Sequence, residues 1–312
     1  MVTIPEVNNR ATSQSQKPQS FIKSRKRRED AFFAYLFIFP FIIFFIAIFL
    51  VPAVSSLYLS FTRYAGYGQV TWLGFQNYVA TLRYPAFWRE VRNVLFYWIA
   101  HLVPMMSIAF GLALLINSKM IRGKNIFKPI IFMPQLVTTV TAGLIFQNFF
   151  GTQYGILNNL LNITVHWLDN PDLARWTVVA LIIWRATGWW VVIYLAGLTA
   201  INPEVIEAAI IDGGNTWQRL VYVIVPFMRN TFLFAAVIDA IGSFRIYTEV
   251  AVLLPGNVAN MSPELAPVLT LVTNNISNAR FGVSAAVGWL LFLMIAVVSW
   301  LQFRVLREEK VD

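Results

Sequence analysis

Six stretches of roughly twenty residues or more, nearly free of charge, constrain this chain more than any other feature. A helix needs about 20 apolar residues to cross ~30 Å of hydrocarbon at 1.5 Å per residue. Ala31–Val54, Val94–Ile116, Pro129–Phe150 and Val283–Phe303 carry no charge. Trp176–Ile201 carries only Arg185. Thr231–Leu254 carries Asp239, Arg245 and Glu249 and is the weakest by hydropathy. Across the chain 12% of residues are charged, about half the share of a soluble domain. That excludes a soluble enzyme and a disordered chain, because 312 residues cannot hide so much apolar surface from water. The expectation is an all-α polytopic membrane protein with six transmembrane helices. There is no cysteine, which excludes disulfides, thiolate chemistry and Cys-based metal sites.

Basic residues fix an expected orientation. With the N-terminus cytoplasmic, one side carries sixteen: Arg10, Lys17, Lys23, Arg25, Lys26, Arg27, Arg28, Lys119, Arg122, Lys124, Lys128, Arg219, Arg229, Arg304, Arg307 and Lys310. The other carries six: Arg63, Arg83, Arg89, Arg92, Arg175 and Arg280. Without a crossing at 231–254 the bias weakens, so the charges support that span. The chain then divides into a basic cytoplasmic tail (1–30), a transmembrane domain (31–303) and a cytoplasmic C-terminal tail (304–312). The first apolar stretch is too long for a cleaved signal. Residues 1–22, polar and rich in Ser and Gln, are expected to be disordered. The run Lys23–Arg28 suits anionic lipid. No groove-reading or stacking module accompanies it, so no nucleic-acid partner is expected.

Catalytic signatures are missing. His101 and His166 have no companions at metal-ligand spacing, and His101 reads as a helix–helix hydrogen-bond donor. GxSxG and GxxxxGK[ST] do not occur. No catalytic residue, metal or cofactor is expected, and any ATP must be hydrolysed by another chain.

The loop 202–226 is patterned. Asn202 can cap a helix, Pro203 suits its first turn, and Glu204 and Glu207 favour its positive end. Ala208 and Ala209 leave a small patch open to close approach. Gly213 and Gly214 end the helix. A second helix can run from Thr216 to Val225, with Pro226 marking the return to the membrane. An interfacial linker lying on lipid is the simpler reading. Ala, Gly and Asn suit protein contact better than lipid immersion.

Glu207-Ala208-Ala209, Asp212-Gly213, Trp217 and Pro226 resemble the EAA loop of ABC importer permeases, the inner membrane components of binding-protein-dependent transport systems. The resemblance extends over most of the chain: Tyr35–Tyr64, WLGFQNY at Trp72–Tyr78, FMPQL, YGILNNLL at Tyr154–Leu161, IGSFRIY at Ile241–Tyr247 and RFGVSAA at Arg280–Ala286. It points to the maltose/oligosaccharide branch and its first permease partner. Gly214 departs from a usual Ala, Val223 and Val225 from Ile and Leu, and Leu254–Asn275 lacks the Gly-rich TGGGP. The resemblance implies a bacterial inner-membrane subunit with both termini cytoplasmic. It implies a second permease as a heterodimer partner, two ATP-binding ATPase subunits, an extracellular or periplasmic solute-binding protein and a small-molecule solute. Glu204, Glu207, Ala208, Ala209, Asp212, Gly213 and Gly214 would then contact the ATPase.

Charges within a membrane face a cavity or a partner. Arg245 and Glu249 are i,i+4 if one helix continues through them, and Arg185 can pair with Asp239. Structural ion pairs and direct solute contact both remain open for these groups. Trp184, Trp189, Trp190 and Tyr194, with Gly188 among them, sit mid-span. Aromatic rings there suit stacking on sugar C–H faces. Gln147 and Asn148 are weaker candidates. Oligosaccharides are the leading solute. Glycerol 3-phosphate and its diesters are the alternative within the family, and a stand-alone ion-coupled secondary transporter the alternative outside it.

Overall fold

The computed structural model describes residues 19–118, 123–254 and 262–307. It resolves into two units, Met1–Ser56 and Leu57–Asp312. Lys119, Arg122 and Lys310 of the orientation argument, most of the 1–22 tail and positions 255–261 of the atypical external segment lie outside the described residues.

In the first unit, α1 (Gln19–Phe45) passes through a π-turn (Ile46–Leu50) into the start of α2 (Val51–Ser60). Helix therefore begins within the tail expected to be disordered. The π-turn has a cause: Pro52 has no N–H and its ring needs room, which the wider spacing provides. Val51 N–H reaches back to Ile46 O. Every side chain from Phe32 to Ser55 is exposed.

The second unit begins with a short antiparallel hairpin, β1 (Thr62–Arg63) and β2 (Thr71–Trp72), followed by α3 (Gln76–Arg83). Asn77 Nδ2 pins the hairpin by donating to Ser60 O at 2.9 Å and Thr62 O at 2.8 Å. The helices that follow are α4 (Pro85–Asn117), α5 (Lys124–Leu136), α6 (Thr139–Phe150), α7 (Ile156–Leu161) and α8 (Pro171–Thr199). After α9 (Pro203–Ile211) come α10 (Thr216–Arg219), a second π-turn (Leu220–Ile224) and α11 (Val225–Phe227). This π-turn also lies just before a proline, Pro226. The chain ends with α12 (Arg229–Ser243), α13 (Thr248–Leu253), α14 (Leu269–Ser277) and α15 (Phe281–Arg307).

Four helices among the described residues are long and apolar enough to cross a membrane: Phe32–Ser60, Pro85–Asn117, Pro171–Thr199 and Phe281–Arg304. The count reaches six if two bent pairs each form one span. One pair is Ile126–Leu136 with Thr139–Phe150, bent by 93°; the other is Thr216–Phe227 with Arg229–Ser243, bent by 62°. The expected span 129–150 is therefore not straight. Val137 is extended and ends α5, and Thr138 caps α6, accepting from Thr141 N at 3.2 Å. The expected span 231–254 is not continuous either. Its helix ends at Ser243 and restarts at Thr248.

Lipid is as apolar as a leucine side chain, so these helices cannot be held by the hydrophobic effect alone; close packing of small residues contributes. Ala109 and Ala113 of α4 are fully buried with Trp190, Tyr194 and Leu198 of α8 and Ala235 of α12. Tyr97 of α4 joins Val178, Leu181 and Ile182 of α8 and Val250 and Leu253 of α13. Phe87, Val91 and Val94 of α4 join Leu271 of α14 and Val287 and Leu291 of α15. The helix α4 is thus common to all three clusters.

Candidate functional site

Where α4, α5, α8, α12 and α13 meet, a cavity of about 300 Å3 opens. Its wall includes His101 and Gln135, Arg185 and Trp189, and Asp239 and Glu249. Trp190 and Ser243 complete the polar and aromatic part, and Ile246 is among its apolar lining.

Two pairs dominate its chemistry, one half-buried (Arg185–Glu249) and one buried (His101–Asp239). Arg185 Nη2 donates to Glu249 Oε1 at 3.2 Å, joining α8 to α13. His101 Nε2 stands 3.2 and 3.1 Å from the two oxygens of Asp239, joining α4 to α12. The histidine is 1% exposed and the aspartate 8%. Their proton count follows from the neighbours. His101 Nδ1 is 2.6 Å from Tyr97 O, a carbonyl that can only accept, so Nδ1 carries a hydrogen. Nε2 and the carboxylate attract only if one further proton lies between them. The His101–Asp239 pair then has no net charge, as has Arg185–Glu249. Ser243 Oγ donates to Asp239 O at 2.7 Å and lies 3.4 Å from both Nε2 and Oδ2. Gln135 Oε1 and Arg185 Nε are buried without a protein partner.

The structure corrects both expected ion pairs. Arg185 pairs with Glu249, not Asp239. Arg245 does not pair with Glu249, because the helix that would align them breaks after Ser243, and Arg245 is exposed in the turn. Trp189 lines the cavity, with its ring 6.5 Å from Phe132. Trp184 stands outside the wall, 5.6 Å from the Phe146 ring. Tyr194 is fully buried between Phe110 and Phe232. Gly188 does not face the cavity. A Cβ there would run into the Ile131 carbonyl and lie 2.9 Å from Phe132 Cα, so α5 and α8 approach backbone to backbone. Gly188→Val is therefore expected to lower the thermal midpoint by an overpacking cost of about 1–3 kcal/mol. The check is thermal unfolding in detergent; a variant with unchanged stability and altered solute affinity would return Gly188 to the cavity. Gln147 and Asn148 line a separate cavity of about 530 Å3 with His166 and Asp169.

Sequence reasoning missed Gln135 and Ser243 as wall residues, while Trp190, one of the mid-span aromatics, does line the cavity. Ser243 carried a usable signal, since it follows Asp239 by four residues, one helical turn.

The loop 202–226 forms a helix–turn–helix with local causes. Asn202 Oδ1 accepts from Glu204 N at 3.1 Å. Gly213 has φ +81°, the left-handed conformation that favours glycine. Asn215 and Gln218 form a reciprocal cap, both bonds 2.8 Å. No residue of α9 is buried. Glu204, Glu207, Ala208, Asp212 and Gly213 are exposed, while Ala209 and Gly214 are half-buried. Ile211 is 85% exposed and Trp217 70%.

Residues 106–309 match the family model of the "Binding-protein-dependent transport system inner membrane component". The chain belongs to this family. The inner membrane component is 33% identical over 279 residues to the arabinooligosaccharides transport system permease protein AraP of Bacillus subtilis (strain 168), covering 86% of this chain and 87% of that one. It is 30% identical over 285 residues to the lactose transport system permease protein LacF of Rhizobium radiobacter, covering 88% and 94%. Its fold matches the crystal structure of a bacterial ABC transporter involved in the import of the acidic polysaccharide alginate. The TM-score is 0.79 at 22% identity, over 91% of this chain and 98% of that one. This permease is a transport component of its family rather than an enzyme.

Proposed function

We propose that this permease forms half of the pathway of an ATP-driven saccharide importer. The observation that carries the reading is the cavity joining Arg185, Asp239 and Glu249 to Trp189 and Trp190. Polar groups that can bond hydroxyls stand beside flat aromatic faces that can stack on sugar rings. The names of the relatives, arabinooligosaccharide and lactose systems, support the same substrate class. Arg185, Asp239, Glu249 and Trp189 are the solute-path residues of this reading. Trp184, Gly188 and Tyr194 support the wall from behind, and Arg245 has no part in it.

In this reading a second permease supplies the other half and a solute-binding protein delivers the saccharide. One of two ATPase subunits docks on the exposed α9–α10 turn, with Glu204, Glu207, Ala208, Ala209, Asp212, Gly213 and Gly214 at the contact, and the other docks on the second permease. The sixteen-to-six division of basic residues supports a cytoplasmic position for that turn and both termini. The glycerol-phosphate and secondary-transporter readings have no comparable support from the relatives. Uptake by proteoliposomes holding the co-purified assembly is expected to require internal or external ATP, according to orientation. It is expected to persist when a protonophore dissipates the proton gradient. Uptake without ATP that stops with the gradient would reverse the proposal.

A further inference from the structure

We propose that Glu249 is a specificity-determining residue that acts through Arg185: by neutralising the guanidinium it leaves the cavity without a free cation, so neutral saccharides pass and uronates are rejected. The inference rests on the saccharide-importer reading and concerns the same cavity.

The charge inventory carries it. The wall has four groups that can hold charge: His101 from α4, Arg185 from α8, Asp239 from α12 and Glu249 from α13. The α5 contribution, Gln135, is neutral. Arg185 is the one permanent cation among them, and it is held at 3.2 Å by a carboxylate on another helix. His101 stands 3.1 Å from the Asp239 carboxylate, so a positive charge on its ring would already face an anion. Each potential anion receptor therefore already has its anion.

An acidic saccharide would have to shed the water around each carboxylate and find no unpaired positive charge to replace it, which is costly in a partly apolar cavity. A neutral saccharide faces no such cost, because its hydroxyls both donate and accept and can share hydrogen bonds with paired ions and amides. Arginine would otherwise suit a carboxylate well, since its fork matches the two oxygens. Glu249 occupies that role within the protein. Its place in α13, beyond the break at 244–247, lets it reach Arg185. A continuous helix from α12 would have directed it elsewhere on the helix surface.

The test is equilibrium dialysis of the purified assembly, with its co-purifying chains. One probe set is radiolabelled neutral saccharides (arabinotriose, lactose and maltotriose). The other is a radiolabelled trigalacturonate. The wild-type assembly is expected to bind at least one neutral probe about tenfold or more tightly than the uronate. Glu249→Gln, which frees Arg185, is expected to raise the ratio of uronate to neutral binding by about tenfold. The double change Arg185→Gln with Glu249→Gln removes both charges and is expected to restore wild-type rejection. That reversal separates a freed cation from general damage, which the double change would not repair. If Glu249→Gln does not assemble, Ala186→Lys adds a cation to the wall with the pair intact and is expected to admit the uronate. An unmoved ratio in every assembling single variant overturns the inference, as does uronate binding that survives in the double variant. Equal binding of both probe classes by the wild type overturns it while leaving the saccharide reading standing. A wild-type assembly that binds no saccharide overturns that reading and this inference with it.

Discussion

Glu207→Lys is expected to cut ATP-driven uptake by about 100-fold or more while leaving the permease folded. Glu207 is exposed, and α9 has no buried residue, so the substitution itself costs the fold about 0.5 kcal/mol or less. Any large loss must arise where another chain meets the turn. Reversing a charge at a docked surface costs several kcal/mol through like-charge contact and lost pairing, and each 1.4 kcal/mol is about tenfold. Gly213→Asp is expected to give a similar loss by a second route. Its φ of +81° costs a side-chain-bearing residue about 1–2 kcal/mol, and it adds charge beside Asp212. Gly213→Asn is the control, since asparagine tolerates this backbone better. The measurements are uptake, ATP hydrolysis and co-purification of the ATPase, beside the thermal midpoint of each variant. If Glu207→Lys leaves uptake and ATPase assembly intact, the docking role assigned to this turn is wrong.

The turn was legible because its determinants are local. Asn202, Pro203 and Gly213 each act within four residues of themselves, and the structure shows the cap at Asn202 and the left-handed turn at Gly213. The long apolar stretches were legible for a related reason: hydropathy reports length, and length decides whether a helix can cross. Hydropathy is blind to backbone direction. The bend at 137–138 depends on Thr138 capping a new helix, and the break after Ser243 leaves no apolar gap. That second break misdirected the site. The i,i+4 argument for Arg245 and Glu249 assumed one helix, and with the helix interrupted Glu249 turned to Arg185, 64 residues away. The link between His101 and Asp239 spans 138 residues, and nothing in the spacing of either residue announces the other. The sequence marked the polar members of the cavity as out of place in lipid, but only packing decided which met which.

A large stability loss is expected from Asp239→Ala. His101 is left 1% exposed, with Nδ1 still fixed on the Tyr97 carbonyl and Nε2 facing no carboxylate. Removing one member of a buried pair costs about 3 kcal/mol or more in soluble proteins. Hydrogen bonds between membrane helices average nearer 0.6 kcal/mol, because the unfolded helices find other partners. The expected loss for Asp239→Ala is therefore about 2 kcal/mol, the higher end applying because a polar group is stranded and not merely unpaired. His101→Leu with Asp239→Leu removes both polar groups and is expected to recover most of that loss. Denaturation of the purified permease in mixed detergent micelles measures both, and a full double-mutant cycle gives their coupling. Strictly additive losses would show that the pair does not bind α4 to α12. The consequence extends past stability, because α12 ends at Ser243 and the chain then turns into α13. A loosened α12 no longer fixes where α13 begins, and Glu249 is carried on α13. Asp239→Ala is accordingly expected to weaken the Arg185–Glu249 pair as well, and to admit some uronate in the dialysis assay even though neither residue of that pair has been changed.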